Sequence, residues 1–337
     1  MIKYVQNKNI DYKRMDEILK ESSMSNHFSN NGPTKNKLEK FLEKKMKIDK
    51  EKRVICVANG TLALHGLLLY LSNKGVEKWV SPSLTFPSCV VNTDKVHVED
   101  IQLDTLTVDY DIAMKYDGVI ITSLFGTYPR NIQMWNDSPK TVILDVASSP
   151  MTEISGKNIC NFGNYSFGSL HHTKYLGFGE GGFIVAPKEE YYEIISTLGF
   201  GFKLKDTKRI HNPKSSNFKM SDVSAASILQ HAERYSLSSH LEIQNEMVEF
   251  IKTLNGVKPL LFEDGVVYGN IPLLFDRKVE KDFFLNNGLE VQKYYYPISD
   301  HQNSLFIYDR ILNLPLHSDL SKSQIEKIKR LLEEFIN

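Results

Sequence analysis

The chain has 337 residues, with 41 Lys+Arg against 41 Asp+Glu and therefore a formal net charge of zero. Its length fits one large and one smaller domain, and 41% hydrophobic with 24% charged residues is ordinary globular composition. A neutral chain lacks the basic field that nucleic acid or an anionic membrane would require, so any phosphate must be held locally by backbone amides and hydroxyls.

The three cysteines, Cys56, Cys89 and Cys160, fit neither a disulfide framework nor a zinc site. They are expected to be buried reduced thiols, and no metal is expected. The start Met1-Ile2-Lys3-Tyr4 has no signal-peptide core, and no apolar run approaches the roughly 20 residues that span a bilayer. The expectation is a cytoplasmic protein with neither membrane nor nucleic acid as partner.

In chain order, the first 30 or so residues are polar, with a short helical pattern near Met15 and Leu19. Ser29-Asn30-Asn31-Gly32-Pro33 is a turn signal, and Leu38, Phe41 and Leu42 then fall at helical spacing. From residue 54 short apolar runs alternate with helical patterns. Residues 54–58, 79–81, 118–123, 141–144 and 182–185 read as strands, and 61–71 as a helix. Such alternation argues for an α/β sheet with helices on its faces. Ser221-Asp222 can cap a long helix carrying Val223, Ala226 and Leu229. Beyond it, runs at 266–271 and 291–296 read as strands of a smaller α+β unit. Ser321 and Gln324 have capping-box spacing ahead of a last helix with Ile325, Ile328, Leu332 and Phe335 on one face.

Four stretches carry chemistry. Ala58-Asn59-Gly60-Thr61-Leu62 takes a strand into a helix start; it is either a phosphate-binding helix N-terminus or a plain capped helix. Phe86, at a strand end, either stacks on a flat ring or packs in the core. Asp145 ends an apolar strand, where ligands of open α/β sheets bind; it faces a cation such as a protonated pyridine or caps the next turn. Lys174 lies 29 residues on, between Ser169, His171, His172 and Thr173 and the run Gly177-Phe178-Gly179-Glu180-Gly181-Gly182. A lysine in such a tight, Gly-framed and largely non-basic setting reads as a desolvated Schiff-base lysine rather than a solvated charge. The glycine run precedes a strand instead of linking strand to helix, so it is no dinucleotide turn.

The ordered set resembles the DegT/StrS family of sugar aminotransferases, which depend on pyridoxal 5'-phosphate (PLP). Gly60-Thr61-Leu62-Ala63-Leu64 matches its phosphate turn, Pro82-Ser83-Leu84-Thr85-Phe86 its ring-stacking segment, and Ser169-Leu170-His171-His172-Thr173-Lys174 its lysine stretch. Asn217-Phe218-Lys219-Met220 matches its Asn-Tyr-Arg-Met element; Tyr294-Tyr295-Tyr296-Pro297 and Leu314-Pro315-Leu316-His317 are further landmarks. The resemblance implies fold type I: a three-layer α/β large domain with a mostly parallel mixed sheet, plus a smaller α+β C-terminal domain. The corresponding boundaries are an arm at 1–30, a PLP-binding domain at 31–235 and a small domain at 236–337.

The resemblance further implies Lys174 and Asp145 as catalytic residues, and Gly60, Thr61, Phe86, Asp145, Ser148, Ser169, Lys174 and Asn217 as cofactor contacts. In relatives the counterpart of Asn217 reaches the neighbouring subunit's phosphate, so a homodimer with shared active sites is expected. Asn31, His172 and the loop 203–216 are candidates for the substrate side. Ser148 stands where many relatives have Gln or His, and Lys219 where they have Arg. The implied reaction moves an amino group from L-glutamate or glutamine to a nucleotide-linked keto-sugar, for amino-sugar and surface-glycan biosynthesis. A PLP-dependent sugar dehydratase, or a transaminase of a non-sugar ketone, is the alternative; retention of Lys174 favours transamination.

Overall fold

In a computed structural model, residues 1–91, 93–203, 206–209 and 214–336 are described. Seven strands build the main sheet: β1 (Lys52–Val57), β2 (Trp79–Pro82), β3 (Val96–Glu99), β4 (Gly118–Thr122), β5 (Thr141–Asp145), β6 (Tyr165–Ser169) and β7 (Gly182–Pro187). Their order is β1-β7-β6-β5-β4-β2-β3. Neighbours from β6 to β3 run parallel, whereas β7 is antiparallel to both β1 and β6.

Both sheet faces are covered, which is why a central strand such as β4 is buried at every residue. In β1, Val54 and Cys56 face one core and Ile55 and Val57 the other. The first face is covered by α1 (Tyr12–Ser25), α2 (Pro33–Lys45) and α5 (Asp222–Ala232), the second by α3 (Gly60–Ser72) and α4 (Tyr191–Leu198). The result is three layers, α/β/α. A separate core, around Val248, Tyr268, Leu273, Phe284 and Leu332, lies under an antiparallel three-stranded sheet: β8 (Val257–Pro259), β9 (Ile271–Phe275) and β10 (Ile311–Leu314). Helices α6 (Leu237–Lys252) and α7 (Lys322–Ile336) contribute to that core. Ile2 belongs to it as well, through a parallel bridge with Leu289.

Side-chain caps close the starts of α3 and α7, and of these the box at Ser321/Gln324 was expected from sequence. Asn59 accepts from Leu62 N at 2.9 Å and caps α3. The Ser321/Gln324 box closes reciprocally, with Gln324 N donating to Ser321 Oγ at 3.3 Å and Ser321 N to Gln324 Oε1 at 2.9 Å. The helix after Ser221 is shorter than expected and ends at Ala232, packed on α1 and α2. Two strand expectations fail. Only the last residue of the run at 266–271, Ile271, belongs to β9, because Tyr268 N pairs with the Gln244 side chain and Gly269 N with Phe125 O. Near 291–296 only an isolated bridge from Gln292 to Asn313 forms, and the tyrosines that follow pack as rings against Phe125. All three cysteines are buried and unpaired. No helix among the described residues is long and apolar enough to cross a membrane.

Candidate active site

A cavity of about 740 Å³ opens at the carboxyl ends of the parallel strands, and Asp145, Lys174, Thr61 and Phe86 all line it. Asp145 is the last residue of β5 and is buried. Ala147 N donates to its Oδ1 at 2.9 Å. Burial pushes the carboxyl from its ordinary 3.8 up to about 6, against the pull of that amide and of the Lys174 charge. A carboxyl so placed would gain most from a cation set directly against it.

The turn at Gly60-Thr61 is shaped by β7. Its first residue, Gly182, lies in register between Val57 at the end of β1 and Ser169 at the end of β6. A Cβ on Gly182 would sit 2.3 Å from the Asn59 carbonyl carbon, so only glycine lets the turn lie on this strand. That packing brings Ser169 beside Gly60, whose own Cβ would lie 3.2 Å from Ser169 Cβ. First-turn amides of a helix have no intrahelical acceptor. Asn59 takes that of Leu62, which leaves the amides of Gly60 and Thr61 beside the Ser169 hydroxyl to meet an anion.

Lys174 sits in a loop between β6 and β7 that folds back tightly on itself. Lys174 N donates to His171 O, Gly177 N to Lys174 O and Phe178 N to Leu170 O. Part of the lining is aromatic, from Tyr4, Phe86, Tyr294 and Tyr295, with the buried Phe125 packed behind them. Phe125 stacks on Tyr295 at 5.9 Å and 4°, Tyr295 meets Phe86 edge-on at 5.9 Å, and Tyr4 meets Tyr294 at 6.1 Å. Phe86 keeps 53% of its surface exposed, leaving a free ring face beside the cavity.

Of the residues singled out from sequence, Gly60, Thr61, Phe86, Asp145, Ser148, Ser169 and Lys174 share this cavity. Three others lie outside its lining. The His172 ring packs edge-on against Phe178. Asn31 lies in a small crevice with Lys35 and Lys219, where its Oδ1 accepts from Lys35 Nζ at 3.0 Å. Asn217 is exposed, bridged to Gly199, on the segment whose Lys219 pairs with Val57. Most of the 203–216 loop lies outside the described residues or has no described side chains.

The cavity also takes in Tyr4, Gln6 and Lys8 from the N-terminal arm, and Asn270 and Gln292 from the C-terminal part. Sequence reasoning did not find these five. The only signal for the arm was the unusual polarity of a segment with nothing local to bind.

The residues fit PLP. The buried, cation-seeking Asp145 suits the pyridine nitrogen, the helix start with Ser169 suits the phosphate, and Phe86 offers a face for the ring. A three-layer sheet with this site at its carboxyl edge suits a PLP-dependent aminotransferase of fold type I. The DegT/DnrJ/EryC1/StrS aminotransferase family matches residues 9–254, and the chain belongs to it. It is 28% identical to dTDP-4-amino-4,6-dideoxy-D-glucose transaminase of Shigella dysenteriae, with 91% of each chain covered. It is 24% identical to GDP-perosamine synthase of Escherichia coli O157:H7, over 89% of this chain and 90% of that one. A PLP-dependent aminotransferase structure from Bacillus cereus ATCC 10987 superposes with a TM-score of 0.85 at 22% identity, covering 98% of this chain and 99% of the other.

Proposed function

We propose that this aminotransferase passes an amino group from L-glutamate or glutamine to a nucleotide-linked keto-sugar. The observation that carries the catalytic part is the convergence of Asp145, Lys174 and the Gly60-Thr61 helix start on one cavity. The sugar part is supported by the relatives, a dTDP-amino-sugar transaminase and GDP-perosamine synthases.

When bound, PLP supplies a ring that draws off the electron pair left on a carbon losing its proton. Lys174 is the residue that carries it covalently. Its Nζ would serve as the base that takes the proton from the donor's α-carbon. Asp145 holds a proton on the pyridine nitrogen. The amides of Gly60 and Thr61 and the Ser169 hydroxyl anchor the phosphate, and Phe86 fixes the plane of the ring. Ser148 lines the same cavity, its carbonyl 2.4 Å from where a Cβ on Gly269 would be, so Gly269 must stay small.

The working unit in this proposal is a homodimer. Asn217 is exposed and off its own cavity yet next to the phosphate-turn strand, as a residue serving a partner's phosphate would be.

An acceptor screen tests the substrate. Enzyme converted to the amino form of the cofactor with glutamate is mixed with nucleotide-linked 3-keto and 4-keto sugars. Return of the aldehyde-form absorbance with one of them is expected. Return only with simple keto acids would contradict the sugar assignment.

A further inference from the structure

The segment ahead of α1 runs as a strap from the C-terminal part to the Lys174 loop. Ile2 N donates to Gly288 O at 2.8 Å. Glu290 takes Lys3 Nζ at 2.7 Å and Tyr4 N at 3.0 Å. Gln6 Nε2 reaches Ser318 Oγ at 3.1 Å and Asp319 Oδ1 at 3.0 Å. Two residues further, Lys8 Nζ donates to the carbonyls of His172 at 2.7 Å, Lys174 at 2.6 Å and Gly177 at 2.7 Å. An ammonium has three donors, and here each finds a carbonyl of the same loop.

These carbonyls converge because the loop is so tight. A Cβ on Gly177 would lie 2.1 Å from His171 O and 2.4 Å from Leu170 O. Carbonyls turned inward in this way need a donor from elsewhere in the chain. The Lys174 carbonyl already accepts from Gly177 N at 2.8 Å, so Lys8 takes its second lone pair. Burial lowers the Lys8 ammonium from 10.5 to about 8, with Asp319 pulling the other way. It therefore still carries its charge at neutral pH.

We infer that Lys8 is a positioning residue for the covalent lysine: its ammonium grips the loop by the carbonyls of His172, Lys174 and Gly177, and so sets where Lys174 Nζ meets the cofactor. This rests on the reading of Lys174 given above. The arm thereby belongs to the catalytic apparatus, and the C-terminal part, through the strap, bears on the loop as well.

The test compares wild type with Lys8→Met, which keeps the length and removes the three donors, and with Lys8→Ala supplied with n-propylammonium. Three readouts are taken: hydrogen exchange of amides 170–179 in the cofactor-free chain, the pH midpoint of the absorbance band of lysine-bound cofactor, and steady-state kinetics. Lys8→Met is expected to exchange about tenfold faster in this loop alone. Its band midpoint should move, and kcat should fall about ten- to a hundredfold with KM nearly unchanged. Propylammonium should return Lys8→Ala toward wild type in all three. Faster exchange with unmoved midpoint and kcat would make Lys8 a plain turn cap and overturn the inference, as would wild-type exchange. A wild type with no cofactor band would overturn the Lys174 reading along with it, whereas a normal wild-type band with unaffected variants would overturn this inference alone.

Discussion

The hydroxyls of Ser149 and Tyr175 lie 2.7 Å apart, and both residues are buried. Ser149 follows Asp145 by four positions and Tyr175 is next to Lys174, so this contact joins the loop of the proposed pyridine partner to the loop of the proposed covalent lysine. Tyr175 OH also accepts from Met151 N at 3.2 Å, and its carbonyl accepts from His231 Nε2 at 2.9 Å. Its ring stacks on Tyr235 at 4.8 Å.

Tyr175→Phe keeps the ring but strands the Ser149 hydroxyl and the Met151 amide in a buried site. It is expected to cost about 1–3 kcal/mol of stability, read as a lower midpoint in urea. A fall in kcat larger than any change in cofactor affinity should accompany it. Unchanged stability and kcat would show that the two loops are aligned without this contact.

Asp145→Asn should separate stability from function. The carboxyl's folded pKa of about 6 lies above its ordinary 3.8, so the folded chain favours the protonated form. That contribution is complete below pH ~3.8 and is lost as pH rises through ~6. An amide does not titrate. In cofactor-free protein the variant should therefore gain about 1–3 kcal/mol on wild type between those limits, while PLP binding weakens and turnover collapses. Thermal midpoints near pH 4 and pH 7.5 check it, and a difference that does not grow with pH would contradict it.

Gly177→Ala drives a Cβ into the carbonyls of His171 and Leu170. Backbone atoms cannot swing aside as a side chain does, so a loss of about 1–3 kcal/mol is expected. The visible band of bound cofactor should weaken along with it. Gly179→Ala is the control for steric clash, since nothing lies within 4 Å of its Cβ, although its φ of +65° adds backbone strain.

The proposed shared active sites predict complementation. Lys174→Ala and Asn217→Ala homodimers should each be inactive or nearly so. Mixed and allowed to exchange subunits, they should regain activity, because each heterodimer rebuilds one site with both residues intact. No recovery after proven exchange would place Asn217 outside the partner's site.

How far these features could be read from sequence depended on range. The Ser321/Gln324 box was legible because partners three residues apart meet within one helical turn. Asp145 and Lys174 stood out because a carboxylate ending an apolar strand, and a lysine framed by glycines, each break the pattern around them. Lys8 did not stand out: its acceptors lie 164 to 169 positions away and are backbone carbonyls that carry no side-chain signature. The run at 266–271 had the right composition for a strand. Tertiary bonds from Gln244 and Phe125 took the amides of Tyr268 and Gly269, and the strand formed only from the run's last residue, Ile271.

The central claim is that Lys174 carries the cofactor and moves the proton. Purified wild type and Lys174→Ala, each loaded with PLP, would be compared by absorbance spectrum and by glutamate-dependent turnover. Loss in the variant of both the pH-sensitive band of lysine-bound cofactor and turnover, with an unchanged circular dichroism spectrum, is the predicted result. A Lys174→Ala protein that keeps the band or full turnover would contradict the account.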